Sequence, residues 1–168
     1  MRKLKSRFCV RGDTQTEGVD YFESFAPVVS WTTVRLLLIL SVMLDLKTSQ
    51  VDYVAAFCQA PMEKESYINL PRGWETLNRM GGFKNPFKAG HVLKLNRSIY
   101  GLCESPSNFF KYLKGNLEKC GFKQSPNDPC LFISPTVICL VYVDDCLFFS
   151  RSQKDIDDSI EAIRACGM

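Results

Sequence analysis

The sequence predicts an α+β domain in which an antiparallel sheet is backed by helices. Two apolar, β-prone runs flank an Asp-Asp pair in residues 139–149 (CLVYVDDCLFF), which is the pattern of a hairpin. A second segment, SPSNFFKYLKGNLEKCGF, has helical spacing, with Phe109, Leu113 and Leu117 at i, i+4 and i+8. With 168 residues, 46% of them hydrophobic and 23% charged, the chain is long enough to bury one core.

The first third of the chain predicts two strands and one apolar helix. Residues 3–10 alternate roughly between basic and apolar side chains, which predicts a strand with one solvated face. The run WTTVRLLLILSVML, residues 31–44, predicts a buried core helix of about three turns with its threonines as candidate caps. A short strand at residues 51–53 is expected to lead into a helical turn at residues 55–57.

The middle of the chain predicts mostly loop. Residues 61–91 are rich in proline and glycine, and only residues 67–70 within them suggest a strand. Residues 92–95 alternate again and predict another strand.

Two helices are expected in the second half. The first is predicted to use Ser105 as its N-cap, Pro106 as its first helical residue and Gly121 as its C-cap. The second follows the hairpin and begins at a capping box that starts with Ser152. Its apolar face is predicted to consist of Ile156, Ile160 and Ile163.

Charge and cysteine patterns limit the class of protein. The net charge is +3, and residues 1–11 and 76–103 each carry five basic residues and no acid. Such stretches suit a polyanion such as nucleic acid, although a solvated surface is the simpler explanation. The eight cysteines contain no C-x-x-C pair, which argues against zinc and for reduced thiols in an intracellular protein. No signal peptide or membrane-spanning run is expected.

The Asp144-Asp145 pair is an unfavourable choice for a tight turn. Hairpin turns prefer Asn-Gly or Asp-Gly, and two carboxylates about 4 Å apart repel by about 4 kcal/mol at an effective dielectric constant near 20. A divalent cation would offset that repulsion. Asp52, between Val51 and Tyr53 in a short apolar strand, is the best candidate for a third carboxylate. Joining a nucleotide to a primer end is one reaction that uses two metal ions, and two or three such acids suffice to bind them.

Eight segments carry a family resemblance in their order along the chain. They are KSRFCVRG, GVDYFESFAPVV, WTTVRLLL, QVDYVAAF, LPRGW, LKLNRSIYGL, GFKQSPNDPCLF and YVDD. Together they resemble the reverse transcriptase of copia-type LTR retrotransposons over essentially the whole length. The resemblance implies a right-hand polymerase with fingers and palm subdomains that copies an RNA template from a DNA or RNA primer with dNTPs. It also implies two Mg²⁺ ions, replaceable by Mn²⁺, bound by the catalytic residues Asp52, Asp144 and Asp145.

The resemblance assigns further roles by position. The implied nucleotide-binding residues are Lys5, Arg7, Arg11, Tyr53, Phe57, Tyr100 and Gly101. Phe57 matches the bulky ring that excludes the 2′-hydroxyl of ribonucleotides. Tyr142 is expected near the primer end, and Pro106 is expected to start the helix behind the segment that lies under the incoming base pair.

The same resemblance implies how the chain is divided. Residues 1–168 would form one partial reverse transcriptase domain, fingers-like at about 1–45 and 61–100 and palm-like at 46–60 and 101–168. The thumb, RNase H and integrase regions of a Pol polyprotein, the last responsible for DNA integration, are expected to be missing. We therefore expect the isolated fragment to be weak or inactive. Its expected location is a cytoplasmic virus-like particle or the nucleus.

Three departures from the family pattern leave alternatives open. Val54 stands where the family has a polar or basic residue, and Cys103 and Glu104 replace a lysine and a glutamine. Each change is expected to make the surface that faces nucleic acid less basic. The alternative is a catalytically inactive, truncated retrotransposon remnant that at most binds nucleic acid. A host phosphotransferase that reuses the same carboxylates is a third hypothesis.

Overall fold

The computed structural model describes residues 7–74, 76, 80 and 90–167. In these residues the helices are α1 (Trp31–Met43), α2 (Ser105–Lys119) and α3 (Gln153–Ala165). The strands are β1 (Lys47–Asp52), β2 (Pro61–Asn69), β3 (Val92–Arg97), β4 (Lys123–Gln124), β5 (Leu131–Ile133), β6 (Val137–Tyr142) and β7 (Asp145–Ser150). The predicted α+β class, with antiparallel sheets and helices, is confirmed.

The main sheet has five antiparallel strands in the order β1-β7-β6-β5-β4, so β1 is an edge strand of the described structure. β2 and β3 form a separate two-stranded sheet. Side chains alternate between the two faces of a sheet. Residues such as Cys146 and Phe148 therefore share one face of β7, where α2 and α3 pack and form the core. Asp145 and Leu147 lie on the opposite face.

Helix α2 shows why local patterns predict some elements well. Phe109, Leu113 and Leu117 are almost completely buried, as their spacing predicts. The helix ends in a Schellman motif: Gly121 has φ +85°, and the N–H of Phe122 donates to the carbonyl of Leu117 at 3.0 Å. The predicted N-cap is one residue late, because the helix begins at Ser105 and residue 104 is the cap.

Helix α1 is not the buried core helix that its composition predicts. Leu37 is its single buried residue, and Ser30 caps it by accepting from the N–H of Thr32 at 3.2 Å. Large apolar side chains that are about half exposed or more lie along it; they are Trp31, Leu36, Leu38, Ile39, Val42 and Met43. Because the helix is apolar on all sides and meets the sheet along one stripe, most of that surface stays uncovered. No helix in the described part of the chain has the length and apolar character needed to cross a bilayer.

A buried carboxylate anchors the start of α1 to the loop before β5. Asp128 is 4% exposed and accepts hydrogen bonds from the Thr33 hydroxyl (2.6 Å), the Cys130 N–H (2.9 Å) and the Ser30 N–H (3.1 Å). Burial raises the pKa of Asp128, but these three donors outweigh burial and lower it overall. The ionised carboxylate therefore attaches α1 to the rest of the fold.

The other predicted elements are partly correct. β2 begins at Pro61, in what the sequence predicts as loop, whereas β3 contains its predicted residues. Residues 7–10 of the predicted first strand are not in a strand, and residues 3–6 lie outside the described residues. α3 starts after Ser152 as predicted, but the Ser152 side chain makes no capping hydrogen bond. The expected helical turn is a short 3-10 helix at Ala56–Gln59.

Candidate functional site

The β6–β7 hairpin holds the two adjacent acids. β6 ends at Tyr142 and β7 begins at Asp145, so Val143 and Asp144 are the two turn residues. Of these two, Val143 alone has a positive φ, +56°, which is the φ pattern of a type II′ turn. A β-branched residue in this region is strained by roughly 1–3 kcal/mol. The turn therefore carries backbone strain as well as two negative charges.

The register of β1 against β7 brings Asp52 to this turn. Asp52 is paired with Asp145, and the N–H of Tyr53 donates to the carbonyl of Asp144 at 3.1 Å. This bond makes residues 53 and 144 a hydrogen-bonded pair of the ladder, so the next pair, Asp52 and Asp145, is a non-hydrogen-bonded pair. In such a pair the Cα atoms are typically about 4.5 Å apart, and both side chains lie on one face of the sheet. The backbones of all three acids thus converge at one end of the sheet.

The side chains of these acids differ in exposure. Asp52 is exposed, whereas Asp144 and Asp145 are half-buried. Like charges directly opposite each other on a sheet are destabilising. One neighbour offsets this in part, because the Gln50 amide nitrogen donates to Asp145 Oδ1 at 3.1 Å. Within the described residues, no three His, Cys, Asp or Glu side chains are grouped so that they would hold a metal ion.

Three predicted nucleotide-binding residues gather beside the acids. The guanidinium carbon of Arg7 lies 4.6 Å from the ring centroid of Tyr100, and the Phe57 ring lies 5.0 Å from the same ring. The pKa of Tyr100 is raised, mainly by burial; Arg7 opposes the rise, and Cys58, Asp144 and Asp52 add to it. Asp52 and Asp144 are thus close enough for their charges to add to the rise in the pKa of the Tyr100 hydroxyl.

Two glycines hold the N-terminal segment against the loop that carries Tyr100. The N–H of Val10 donates to the Tyr100 carbonyl at 2.9 Å. A Cβ on Gly101, whose φ is +96°, would lie 2.1 Å from the Val10 carbonyl oxygen. A Cβ on Gly12 would lie 1.9 Å from the Gly101 carbonyl oxygen. This close backbone contact, which only glycine permits, fixes the chain that leads from Arg7.

The other predicted site residues are spread over several places, and of these Tyr142 is paired with Asp145. The Tyr53 ring is buried against Phe109, with ring centroids 5.9 Å apart, and burial raises its pKa well above the usual value. Arg11 is paired with Asp13 at 2.7 Å and lines a different cleft of about 850 Å³ beside β2. Lys5 lies outside the described residues. Two more positions complete the set: Tyr142, 49% exposed at the end of β6, and Pro106, in the first turn of α2.

The expectation that residues 103 and 104 face nucleic acid is wrong. Glu104 is 7% exposed, and its Oε2 accepts from the amide of Gln15 at 3.0 Å. The N–H of Cys103 donates to Oε1 of the same Gln15 at 2.8 Å, and its thiol lies against the Gly12 carbonyl. Both residues therefore bind the N-terminal segment to the Tyr100 loop, and the buried Glu104 does not add charge to an open surface.

Comparison with known proteins identifies the family. The family described as reverse transcriptase (RNA-dependent DNA polymerase) matches residues 1–166. This chain belongs to the reverse transcriptase family.

Curated relatives of this reverse transcriptase are polyproteins of transposons, and the predicted copia-type relationship is confirmed. It is 31% identical to the Pol polyprotein of transposon TNT 1-94 from Nicotiana tabacum, over 90% of this chain and 11% of the relative. It is 31% identical to that of RE1 from Arabidopsis thaliana, over 96% of this chain and 11% of the relative. It is 26% identical to the Ty1-DR4 Gag-Pol polyprotein of Saccharomyces cerevisiae, over 95% and 9%. This reverse transcriptase thus spans about a tenth of these relatives' length, and no solved structure matches it.

The donors at the hairpin of this reverse transcriptase are of one chemical kind. Asp52, Asp144 and Asp145 offer carboxylate oxygens at the solvent-accessible end of two strands. Hard oxygen ligands of this kind suit Mg²⁺ or Mn²⁺, which retain several waters and need few protein ligands. The donor chemistry fits such ions, and the assignment of the three acids as ligands stays a prediction.

Sequence patterns did not point to Gln50 as part of the site. A signal was available, because Gln50 directly precedes the strand predicted at residues 51–53, and alternation extended by one residue puts Gln50 and Asp52 on one face. The register that carries its amide to Asp145 is a long-range feature and cannot be read from that local pattern.

Proposed function

We propose that this chain forms the nucleotidyl-transfer site of an RNA-directed DNA polymerase, as part of a copia-type Pol polyprotein. The observation that carries the proposal is the pairing of Asp52 with Asp145 beside the turn residue Asp144. In this reaction the 3′-hydroxyl oxygen of the primer forms a bond to the α-phosphorus of a dNTP. The bond from that phosphorus to the bridging oxygen breaks, and pyrophosphate leaves. An RNA strand is the template.

The three acids would hold two Mg²⁺ ions, with Mn²⁺ as a substitute. Such ions, once bound, would supply a lower pKa for the attacking hydroxyl and positive charge opposite the leaving pyrophosphate. The part played by the protein is geometric. The Tyr53 N–H holds the turn through the Asp144 carbonyl, and the ladder holds Asp52 opposite Asp145.

The cluster beside the acids would bind the incoming nucleotide. Arg7, stacked on Tyr100, supplies positive charge for the triphosphate. Phe57, in contact with Tyr100, closes the space that a 2′-hydroxyl would occupy. Gly101 has no side chain to obstruct a base pair above it. Further contacts in this proposal come from Lys5 and Arg11 to phosphate, from the backbone of Tyr53, and from Tyr142 and Pro106 on the primer and template side.

The division into subdomains follows the same proposal. The two-stranded sheet of β2 and β3 belongs to the fingers-like region, about residues 1–45 and 61–100. The five-stranded sheet with α2 and α3 makes up most of the palm-like region, residues 46–60 and 101–168. The thumb, RNase H and integrase regions of the whole polyprotein are proposed partners, and a virus-like particle or the nucleus is the proposed location.

Primer extension tests this function. Purified chain, an RNA template with an annealed DNA primer, dNTPs and Mg²⁺ should yield elongated primer. Asp144→Asn should reduce the rate by roughly a hundredfold or more, because it removes a carboxylate that the proposed metal ions need as a ligand. Asp158→Asn, at an exposed position of α3, is the matched control and should behave as wild type. Equal synthesis by wild type and Asp144→Asn would refute the proposal.

A nucleic-acid-binding remnant is the second candidate function. It is favoured by Val54, which is 82% exposed next to Asp52 where the family carries a polar or basic side chain. An RNA mobility shift that weakens with salt, together with no metal-dependent synthesis, would support this candidate over the polymerase.

A further inference from the structure

The amide of Gln50 makes a contact that the proposed roles do not use. Its nitrogen donates to Asp145 Oδ1 at 3.1 Å, across the ladder between β1 and β7. The register pairs Gln50 with Leu147 and Asp52 with Asp145, so the hydrogen bond runs diagonally on the face that both acids share. One strand therefore supplies both the acid opposite Asp145 and the donor that holds Asp145.

The surroundings of this hydrogen bond are mainly apolar. Gln50 and Asp145 lie at the rim of a cleft of about 220 Å³. Its other lining residues are Val29, Trp31, Val34, Leu140, Tyr142 and Leu147. Apart from the Tyr142 hydroxyl and the Trp31 indole N–H, these side chains offer no polar groups that would compete for the Asp145 carboxylate.

An amide donor suits this position better than a charged one. Asp52 and Asp145 already face each other as like charges. A lysine or arginine at position 50 would offset that repulsion, but it would also occupy the negative potential that a cation needs. The neutral amide fixes the rotation of the Asp145 carboxylate by one oxygen and leaves the net charge of the three acids unchanged.

We propose that Gln50 is a positioning residue that orients Asp145 for binding divalent cations of the Mg²⁺ and Mn²⁺ type. This inference rests on the proposed polymerase function, because it concerns the same three acids. Residues that hydrogen-bond to metal ligands orient them, and their loss usually weakens metal affinity by about 10- to 100-fold. Gln50 is exposed, so its replacement should change metal affinity with little effect on folding.

Mn²⁺ binding to the full chain tests the inference without any measurement of synthesis. Free Mn²⁺ is measured by its electron paramagnetic resonance signal for wild type, Gln50→Met and Gln153→Met. Gln153 provides the matched control, because its amide donates to Asp157 at 2.9 Å on α3 and to the Ser49 hydroxyl at 3.1 Å, on the face of β1 opposite Gln50, and has no direct contact to the three acids. Gln50→Met should bind Mn²⁺ about tenfold or more weakly, and Gln153→Met should bind as wild type does. Thermal melting without metal should be unchanged in both variants.

The double variant shows whether Gln50 acts through Asp145. In an Asp145→Asn background, Gln50→Met should change Mn²⁺ affinity by less than about twofold, because the group it orients has been altered. A full additional loss in that background would overturn the proposed route. Wild-type affinity in Gln50→Met would overturn the inference and leave the polymerase proposal intact. Absence of Mn²⁺ binding by wild type would overturn both.

Discussion

Substitution of Gly101 by alanine should separate the N-terminal segment from the Tyr100 loop. The new Cβ would lie 2.1 Å from the Val10 carbonyl oxygen, far inside the 3.4 Å at which ordinary contact begins. The segment must therefore move by more than about 1 Å, which breaks the 2.9 Å hydrogen bond from Val10 to Tyr100. Arg7 would lose its position above Tyr100 as a result.

The expected loss of stability combines two terms. An alanine at φ +96° is strained by about 1–2 kcal/mol. The broken hydrogen bond and its desolvated partners add about 1–2 kcal/mol. The free energy of unfolding of Gly101→Ala should therefore fall by about 2–4 kcal/mol. For a chain of this size, each kcal/mol shifts Tm by roughly 2–4 °C, so the melting temperature should drop by about 5–15 °C.

Thermal melting followed by circular dichroism measures this loss, and two other glycines provide matched controls. Gly121 also has a positive φ, +85°, but nothing lies within 4 Å of the Cβ that an alanine would add there, so Gly121→Ala should lose only the strain of about 1–2 kcal/mol. Gly115 lies inside α2 with the same open space, and Gly115→Ala should gain about 0.5–1 kcal/mol from helix propensity. A Tm for Gly101→Ala no lower than that for Gly121→Ala would refute the close-contact argument.

Three further predictions concern single side chains. Asp128→Asn should reduce the free energy of unfolding at pH 7 by about 1.5–3 kcal/mol in urea titrations. Because folding lowers the pKa of Asp128, the ionised carboxylate stabilises the fold above about pH 4, and this stabilisation is lost as the pH falls through the lowered pKa. The difference in free energy of unfolding between wild type and Asp128→Asn should therefore disappear at low pH, and a difference that does not depend on pH would contradict this. Val54→Lys should tighten binding of RNA and dNTPs at low salt but not at high salt, measured by fluorescence anisotropy, and an effect that salt does not reduce would argue against a phosphate contact. Phe57→Val should raise ribonucleotide incorporation relative to deoxyribonucleotides by about tenfold or more in primer extension, and an unchanged ratio would exclude Phe57 as the sugar-discriminating ring.

Patterns confined to neighbouring residues predicted this fold most reliably. The hairpin around Asp144 and the cap at Gly121 depend on the residues next to them, and both are present. The exposure of α1 depends on which part of the sheet is left for it to cover, and its own composition contains no such information. For the same reason, the apolar run at residues 36–38 predicts buried side chains, but of these only Leu37 is buried.

The candidate site divides in a similar way. The resemblance points to Asp52 as an acid of the site, but its position opposite Asp145 depends on a register between strands more than 90 residues apart. Tyr53 follows that acid directly, yet strand alternation sends its ring to the helix-covered face. Glu104 has the pattern of a surface charge in the sequence, and it is buried because the distant Gln15 reaches across to it. Long-range contacts therefore decide which residues of a recognised motif are available for chemistry.

The edge position of β1 has a consequence for the lifetime of the three-acid arrangement. Asp52 is held to the acids of the turn by a single ladder, whereas β7 is held on both sides. Peeling of one outer strand would separate the first acid from the other two and leave the hairpin whole. Amide hydrogen exchange in β1 should accordingly report an opening free energy below that of global unfolding. The arrangement persists only as long as its most loosely held strand stays in place.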